Sequence, residues 1–176
     1  LSVKKKKLFK EVSREDMAKG GKFLVILVIV YALLSFGVNL IVPLEFIELI
    51  VAKGVSLLLG VMGIRSEIIL GEPIKIILSA STVQISYLCT GLMELFILVA
   101  AVVATTGIEW KKKLIGVIGA GITAFAFNLF RITVTILVLS SFSLETAELT
   151  HDLLFRISLF AVIVGYYFVW YYFSTK

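Results

Sequence analysis

Long apolar blocks constrain this chain more strongly than any other feature of its sequence. Three of them, Phe23–Val42, Leu114–Ser140 and His151–Phe173, are long enough for a helix to cross the roughly 30 Å hydrocarbon core of a bilayer. A further apolar stretch runs from Cys89 to Gly107. Hydrophobic residues make up 60% of the chain, more than the roughly 45–50% that is usual in soluble domains. The sequence therefore predicts an integral membrane protein.

Basic residues are concentrated beside the apolar blocks. Eight lysines and arginines lie within residues 1–22, and three more lysines occupy positions 111–113. Such clusters favour the cytoplasmic side of a membrane and bind anionic headgroups, so the net charge of +5 does not indicate a nucleic-acid partner. We interpret residues 1–22 as a cytoplasmic segment. The block that follows exceeds the roughly 7–15 residues of a signal-peptide core and is expected to be a retained span.

The two basic clusters determine the predicted topology. If both are cytoplasmic, spans at 23–42, 89–107, 114–140 and 151–173 cross the membrane in alternating directions. The apolar segment 46–64 then cannot cross, because one more crossing would reverse every later span. We expect it to form an interfacial or re-entrant helix at the outer face.

Residues 65–88 differ in character from the apolar blocks. They combine β-branched residues with a Gly-Glu-Pro turn at 71–73, which predicts a small extracytoplasmic β-hairpin. The predicted fold class is an all-α membrane protein. It is a multi-span helical bundle of four spans, with the interfacial or re-entrant helix and the hairpin, and residues 23–176 form a single transmembrane domain.

This topology brings three chemically capable side chains to the outer face. Cys89 opens one span and His151 opens another, both at that face. Arg131 lies 17 residues after Leu114, which at ~1.5 Å per residue is about 26 Å up the core. The sequence therefore predicts a site made by residues of three separate spans.

Each of the three side chains has a chemical interpretation and a simpler one. Cys89, the only cysteine, is a candidate nucleophile at or near a helix N-terminus, or a small packing residue. Arg131 costs about 2.5–3.5 kcal/mol to insert, which favours a bundle-facing role, although it lies near enough to the surface to extend to the headgroups. His151, the only histidine, is a candidate proton carrier, or a residue bonded to its own loop.

Neighbouring polar residues are candidates for support. Asn128 shares a helix face with Arg131, and Glu94 is deep enough in its span to require a buried cation such as Arg131. Arg156, five residues after His151, is a second cationic candidate. Asp152 is interpreted as a compensating charge at a helix start. A single cysteine excludes an internal disulfide and a cysteine-based zinc site, and no metal or organic cofactor is implied.

Three short motifs resemble the exosortase/archaeosortase family of membrane-embedded cysteine enzymes. They are Cys-Thr-Gly-Leu at Cys89, Asn-Leu-Phe-Arg-Ile at Asn128–Ile132, and a histidine that opens a last span. The similarity covers about residues 46–173, and the chain is shorter than the eight-span members. Its high lysine and isoleucine content and small size suggest a minimal archaeal member. The resemblance implies a catalytic triad of Cys89, Arg131 and His151.

The resemblance also implies a substrate and a reaction. The substrate would be a secreted protein that ends in a short motif, a transmembrane helix and a basic tail. The enzyme would cleave near the motif and pass the new C-terminus to a membrane lipid amine. Two alternatives stay open at this point: a non-enzymatic membrane subunit in which Arg131 binds a partner or lipid phosphate, and an intramembrane protease that uses water.

Overall fold

The computed structural model describes residues 14–79 and 81–176. Within these ranges there are six α-helices and a small three-stranded sheet. In chain order the elements are α1 (Arg14–Ile41), α2 (Leu44–Val61), β1 (Glu67–Ile69), β2 (Ile74–Ile77), β3 (Thr82–Ile85), α3 (Leu92–Ala104), α4 (Trp110–Ser141), α5 (Leu144–Phe160) and α6 (Tyr166–Ser174). A 3₁₀ turn, Tyr87–Cys89, precedes α3, and a π-helical segment, Ala161–Gly165, joins α5 to α6.

Three stretches of helix in the described residues are long and apolar enough to cross a membrane: Glu15–Val38, Trp110–Ser141 and Leu144–Ser174. They agree with three of the four predicted spans. The fourth, expected at 89–107, is not confirmed, because α3 has 13 residues. At ~1.5 Å per residue that length is about 20 Å, less than the roughly 30 Å core.

The sheet contains one strand more than the predicted hairpin. β1, β2 and β3 form an antiparallel meander in which Ile69 pairs with Lys75 and Ile74 pairs with Ile85. The expected turn at 71–73 does connect β1 to β2. Along β2, Ile74 and Ile76 are buried whereas Lys75 is exposed, so one face of the sheet belongs to the core.

The buried face of the sheet packs against α2 and the later part of α4. Val55 and Leu59 of α2 meet Ile76 of β2 and Ile132 and Ile136 of α4 in one apolar cluster. Helix α2 thus packs on the sheet and α4 rather than back along α1, whose main neighbour is α3. The segment expected as an interfacial or re-entrant helix forms one continuous helix, α2, which packs against the sheet.

At the opposite end of the bundle the chain ends of several helices meet. Lys112 Nζ donates to Ser174 O at 2.7 Å and Lys113 Nζ donates to Val103 O at 2.8 Å, so two lysines satisfy carbonyls at the ends of α6 and α3. The ring of Phe23 in α1 lies 6.4 Å from that of Tyr167 in α6. We call this the lysine end, defined by residues 111–113 and Ser174.

Candidate active site

Cys89 lies in the 3₁₀ turn rather than at the first residue of a helix. Its backbone N–H donates to Ser86 O at 2.8 Å, and the N–H of Thr90 donates to Tyr87 O at 3.1 Å, which closes the turn. Cys89 was expected at or near a helix N-terminus, and it lies three residues before α3, which begins at Leu92. The turn is tight because the Thr90 hydroxyl also donates to Tyr87 O, at 2.6 Å.

Gly91 explains why the cysteine can lie so close to α4. Its φ is +74°, a conformation that residues with a Cβ rarely adopt. A Cβ added at Gly91 would lie 3.0 Å from Cβ and Cγ of Asn128. The glycine of the Cys-Thr-Gly sequence therefore permits both the backbone turn and the close contact with Asn128.

A chain of hydrogen bonds connects the cysteine backbone to the buried arginine. Asn128 Nδ2 donates to Cys89 O at 2.8 Å, and its Oδ1 accepts from Arg131 Nη2 at 3.0 Å. Arg131 Nη1 donates to Glu94 Oε1 at 3.2 Å. The pair between Glu94 and Arg131 is the one that the sequence suggested, and Asn128 lies between the arginine and the cysteine.

The guanidinium of Arg131 is enclosed by protein. The residue is 1% exposed, and its Cζ lies 5.1 Å from the ring centroid of Phe155 in α5. Each Nη atom donates one hydrogen bond, whereas Nε is buried with no hydrogen-bond partner among the described residues. This burial excludes the alternative in which Arg131 extends to the lipid headgroups.

His151 lies two turns inside α5, not at the start of a helix as the sequence suggested. The helix begins at Leu144 because Ser143 caps it: the Ser143 hydroxyl accepts from the Thr146 N–H at 3.3 Å. The residues between the predicted spans 114–140 and 151–173 are therefore mostly helical. Asp152 is likewise inside the helix, and its Oδ1 lies 3.6 Å from His151 Nδ1.

His151 and Cys89 form a hydrogen-bonded pair across two segments of the chain. The hydrogen bond with His151 is the largest influence on the pKa of Cys89, which is lowered to about 7. Burial of the thiol opposes this shift, and hydrogen bonds from Ser86 support it; the Ser86 Oγ to Cys89 Sγ distance is 3.7 Å. A pKa near 7 leaves a large fraction of the thiol ionised at neutral pH, as a cysteine nucleophile requires.

The structure brings together five of the six predicted site residues. Cys89, Asn128, Arg131 and Glu94 form one connected network, and His151 joins it through the thiol. Arg156 is exposed on α5 and is outside these contacts.

Sequence reasoning missed two contributors, Ser86 and Phe155. The pair Ser86–Cys89, at i and i+3 just before an apolar helix, was the available signal for a turn. The sequence carries no comparable signal for Phe155, because its contact with Arg131 depends on how α5 packs on α4.

The comparison with protein families agrees with the resemblance in the motifs. The model of the transmembrane exosortases matches residues 17–170. The chain belongs to the transmembrane exosortase family. The match begins in α1, so the similarity is longer than the 46–173 that the motifs suggested. No curated protein and no solved structure matches the chain. Membership implies a membrane cysteine peptidase or transpeptidase that acts on secreted proteins with C-terminal sorting signals.

Proposed function

We propose that this exosortase is a cysteine transpeptidase that cleaves a C-terminal sorting signal and transfers the new C-terminus to a membrane lipid amine. The observation that supports this most is the hydrogen bond between Cys89 and His151, together with a cysteine pKa of about 7. A cysteine that only fills space in a membrane protein has no need of an imidazole partner.

The proposed reaction has two halves. In the first, the Cys89 thiolate attacks the scissile carbonyl, a thioester forms, and His151 delivers a proton to the leaving amine. In the second, the acceptor amine attacks the thioester, loses a proton to His151 and releases the cysteine. Splitting the reaction in this way replaces one difficult step by two easier ones.

Arg131 is proposed to position the nucleophile. From the sequence we expected Arg131, with Asn128, to contact the oxyanion directly. In the structure the two Nη atoms bind Glu94 and Asn128, and Asn128 in turn holds Cys89 O. This arrangement favours a role in which Arg131 fixes Asn128, and Asn128 fixes the turn that carries the thiol.

The site is proposed to face the extracytoplasmic side of the cell membrane. The lysine end carries Lys111–Lys113 and lies beside the N-terminal half of α1, which follows the basic segment. Positive charge of this kind favours the cytoplasm. The site and the sheet lie near the other end of α4, which has 32 residues. Residues 1–13 of the basic segment are outside the described residues.

The experiment that tests the function is replacement of Cys89 by Ala or Ser, with the full chain in its membrane. The substrate is a secreted protein of the same genome that ends in a motif, an apolar helix and a basic tail. Processing should be lost while the variant stays folded and membrane-bound. Unchanged processing would instead support the non-enzymatic alternative, in which Cys89 only packs.

The nature of the acceptor is tested by the product. Mass spectrometry of the processed C-terminus should show an amide with a lipid amine. A free carboxylic acid would show that water resolves the thioester and that the protein is a protease rather than a transferase.

A further inference from the structure

A cleft opens beside His151. Its volume is about 300 Å³, and β3, α4 and α5 contribute its walls. Apolar side chains dominate the lining, and His151 forms part of the wall. Because His151 also hydrogen-bonds to Cys89, the imidazole contacts both the cleft and the nucleophile.

Apart from His151, the ionisable residues of the cleft are acidic. Glu148 and Asp152 line it, both exposed and one helical turn apart on α5, and neither lysine nor arginine is among its lining residues. Val83 and Leu139 are among the apolar residues opposite. The combination of an apolar floor with two carboxylates at the rim is complementary to a ligand with an apolar group and a positive charge.

The position of His151 indicates which reactant this ligand is. In the proposed reaction the imidazole gives a proton to the leaving amine and later takes one from the incoming amine, so both amines must approach the imidazole. The thioester forms on Cys89, which interacts with the same imidazole. The cleft is open space against the same imidazole, so an amine bound in it can reach His151.

We propose that this cleft is the subsite for the acceptor amine and that it selects a primary ammonium carried on an apolar group. The inference rests on the proposed function and names the acceptor class of the same site. The ammonium first releases one proton to water. The neutral nitrogen then attacks the thioester carbon, its second proton passes to His151, the new C–N bond forms, the C–S bond breaks, and the cysteine leaves as a thiolate.

The test separates acylation from aminolysis in the full-length protein in detergent. N-acetylglycine thiobenzyl ester acylates the cysteine without any sorting motif, and mass spectrometry measures acyl-Cys89 and the amide product. Hexylamine is the cationic apolar acceptor, and hydroxylamine, which is uncharged at neutral pH, is the control acceptor. Glu148→Lys and Glu148→Gln alter the rim, and Glu145→Lys is the matched control on an exposed residue of α5 outside the cleft lining.

We expect Glu148→Lys to lower the rate constant for hexylamine by about fivefold or more relative to hydroxylamine, with a smaller loss for Glu148→Gln. Glu145→Lys should leave that ratio unchanged. A bulky Leu139→Trp should reduce the preference for hexylamine over methylamine, because it fills the apolar floor.

Two results would contradict the inference, and a third would contradict the proposed function on which it rests. If acyl-Cys89 forms and the ratio is the same in Glu148→Lys as in the unmodified chain, the cleft does not bind the acceptor. If Glu148→Lys slows acylation by peptide substrates and not aminolysis, the cleft holds the peptide instead. If no acyl-Cys89 forms in the unmodified chain, the proposed function itself fails.

Discussion

Cys89 is the residue whose reactivity is most informative to measure as a function of pH. Its pKa of about 7 results first from the hydrogen bond with His151, with burial acting in the opposite direction. The rate of alkylation by iodoacetamide follows the thiolate fraction, so it should reach half its maximum at about pH 7. In His151→Ala the half-maximum should move to higher pH, because the stabilising partner is lost and the burial remains.

The matched control for this measurement is Glu145→Gln, an exposed change on the same helix, which should leave the profile in place. A His151→Ala profile that coincides with that of the unmodified chain would mean that the imidazole does not contact the thiol.

The buried ion pair between Glu94 and Arg131 predicts that substitutions of the two residues have coupled effects on the free energy of unfolding. Glu94→Leu leaves a guanidinium that is 1% exposed without its carboxylate, which should cost about 3–5 kcal/mol of unfolding free energy. Replacing both residues, as in Glu94→Leu with Arg131→Met, removes the unpaired charge. The double variant should therefore unfold at a higher temperature in detergent than Glu94→Leu alone.

The processing activity of the double variant should not recover together with its stability. If Arg131 fixes Asn128, the double variant stays inactive although its stability recovers, because Asn128 Oδ1 has lost its donor. A double variant less stable than Glu94→Leu alone would argue against a compensated buried charge.

The turn between β3 and α3 is the element whose geometry can be tested by glycine substitution. Gly91→Ala should strongly reduce processing, because a Cβ would lie 3.0 Å from Asn128 and displace the residue that holds Cys89 O. Gly63→Ala is the matched control. Gly63 has a similar φ of +79° with no atom within 4 Å of an added Cβ, so it reports backbone strain without crowding.

We expect both alanine variants to lose about 1 kcal/mol of stability from the left-handed conformation, while only Gly91→Ala loses substrate processing. Equal activity in the two variants would show that the contact between the turn and Asn128 does not matter for the reaction.

The elements show where sequence reasoning works in this protein. Apolar length and lysine placement predicted α1, α4 and the α5–α6 helix, because membrane spans obey a simple length rule. The partnership of Glu94 with Arg131 was also predictable, since a buried charge requires a partner.

Other features depend on contacts that periodicity does not record. The third strand forms because Ile74 of β2 pairs with Ile85 of β3. This pairing depends on tertiary contacts, which the local sequence pattern does not record. Helix α5 starts earlier than predicted because Ser143 caps it. The polar residues before His151 had indicated a loop instead of a helix. The contact of Asn128 with Cys89 O requires Gly91 to bring two distant segments together.

At the scale of the whole molecule, the functional groups are concentrated away from the lysine end. α4 begins at the lysine end, where Trp170 Nε1 donates to Lys112 O at 3.1 Å, and it contributes Asn128 and Arg131 toward its other end. α1 is apolar and unburied along its most hydrophobic window, as a lipid-facing helix is. The sheet and α2 pack together on the later part of α4. The membrane topology therefore depends on whether α2 crosses the membrane.

Helix α2 decides between two topologies, because it has 18 residues and carries Glu45, Glu48 and Lys53. Its buried face packs on the sheet, and we therefore predict that it lies on the extracytoplasmic side along its whole length. Single cysteines at exposed Glu45 and Arg65, in a Cys89→Ala background, should both react with a membrane-impermeant maleimide in intact cells. A cysteine at exposed Lys111 should react only after permeabilisation. If positions 45 and 65 react from opposite sides, α2 crosses the membrane, and the later helices must then run in the reverse direction.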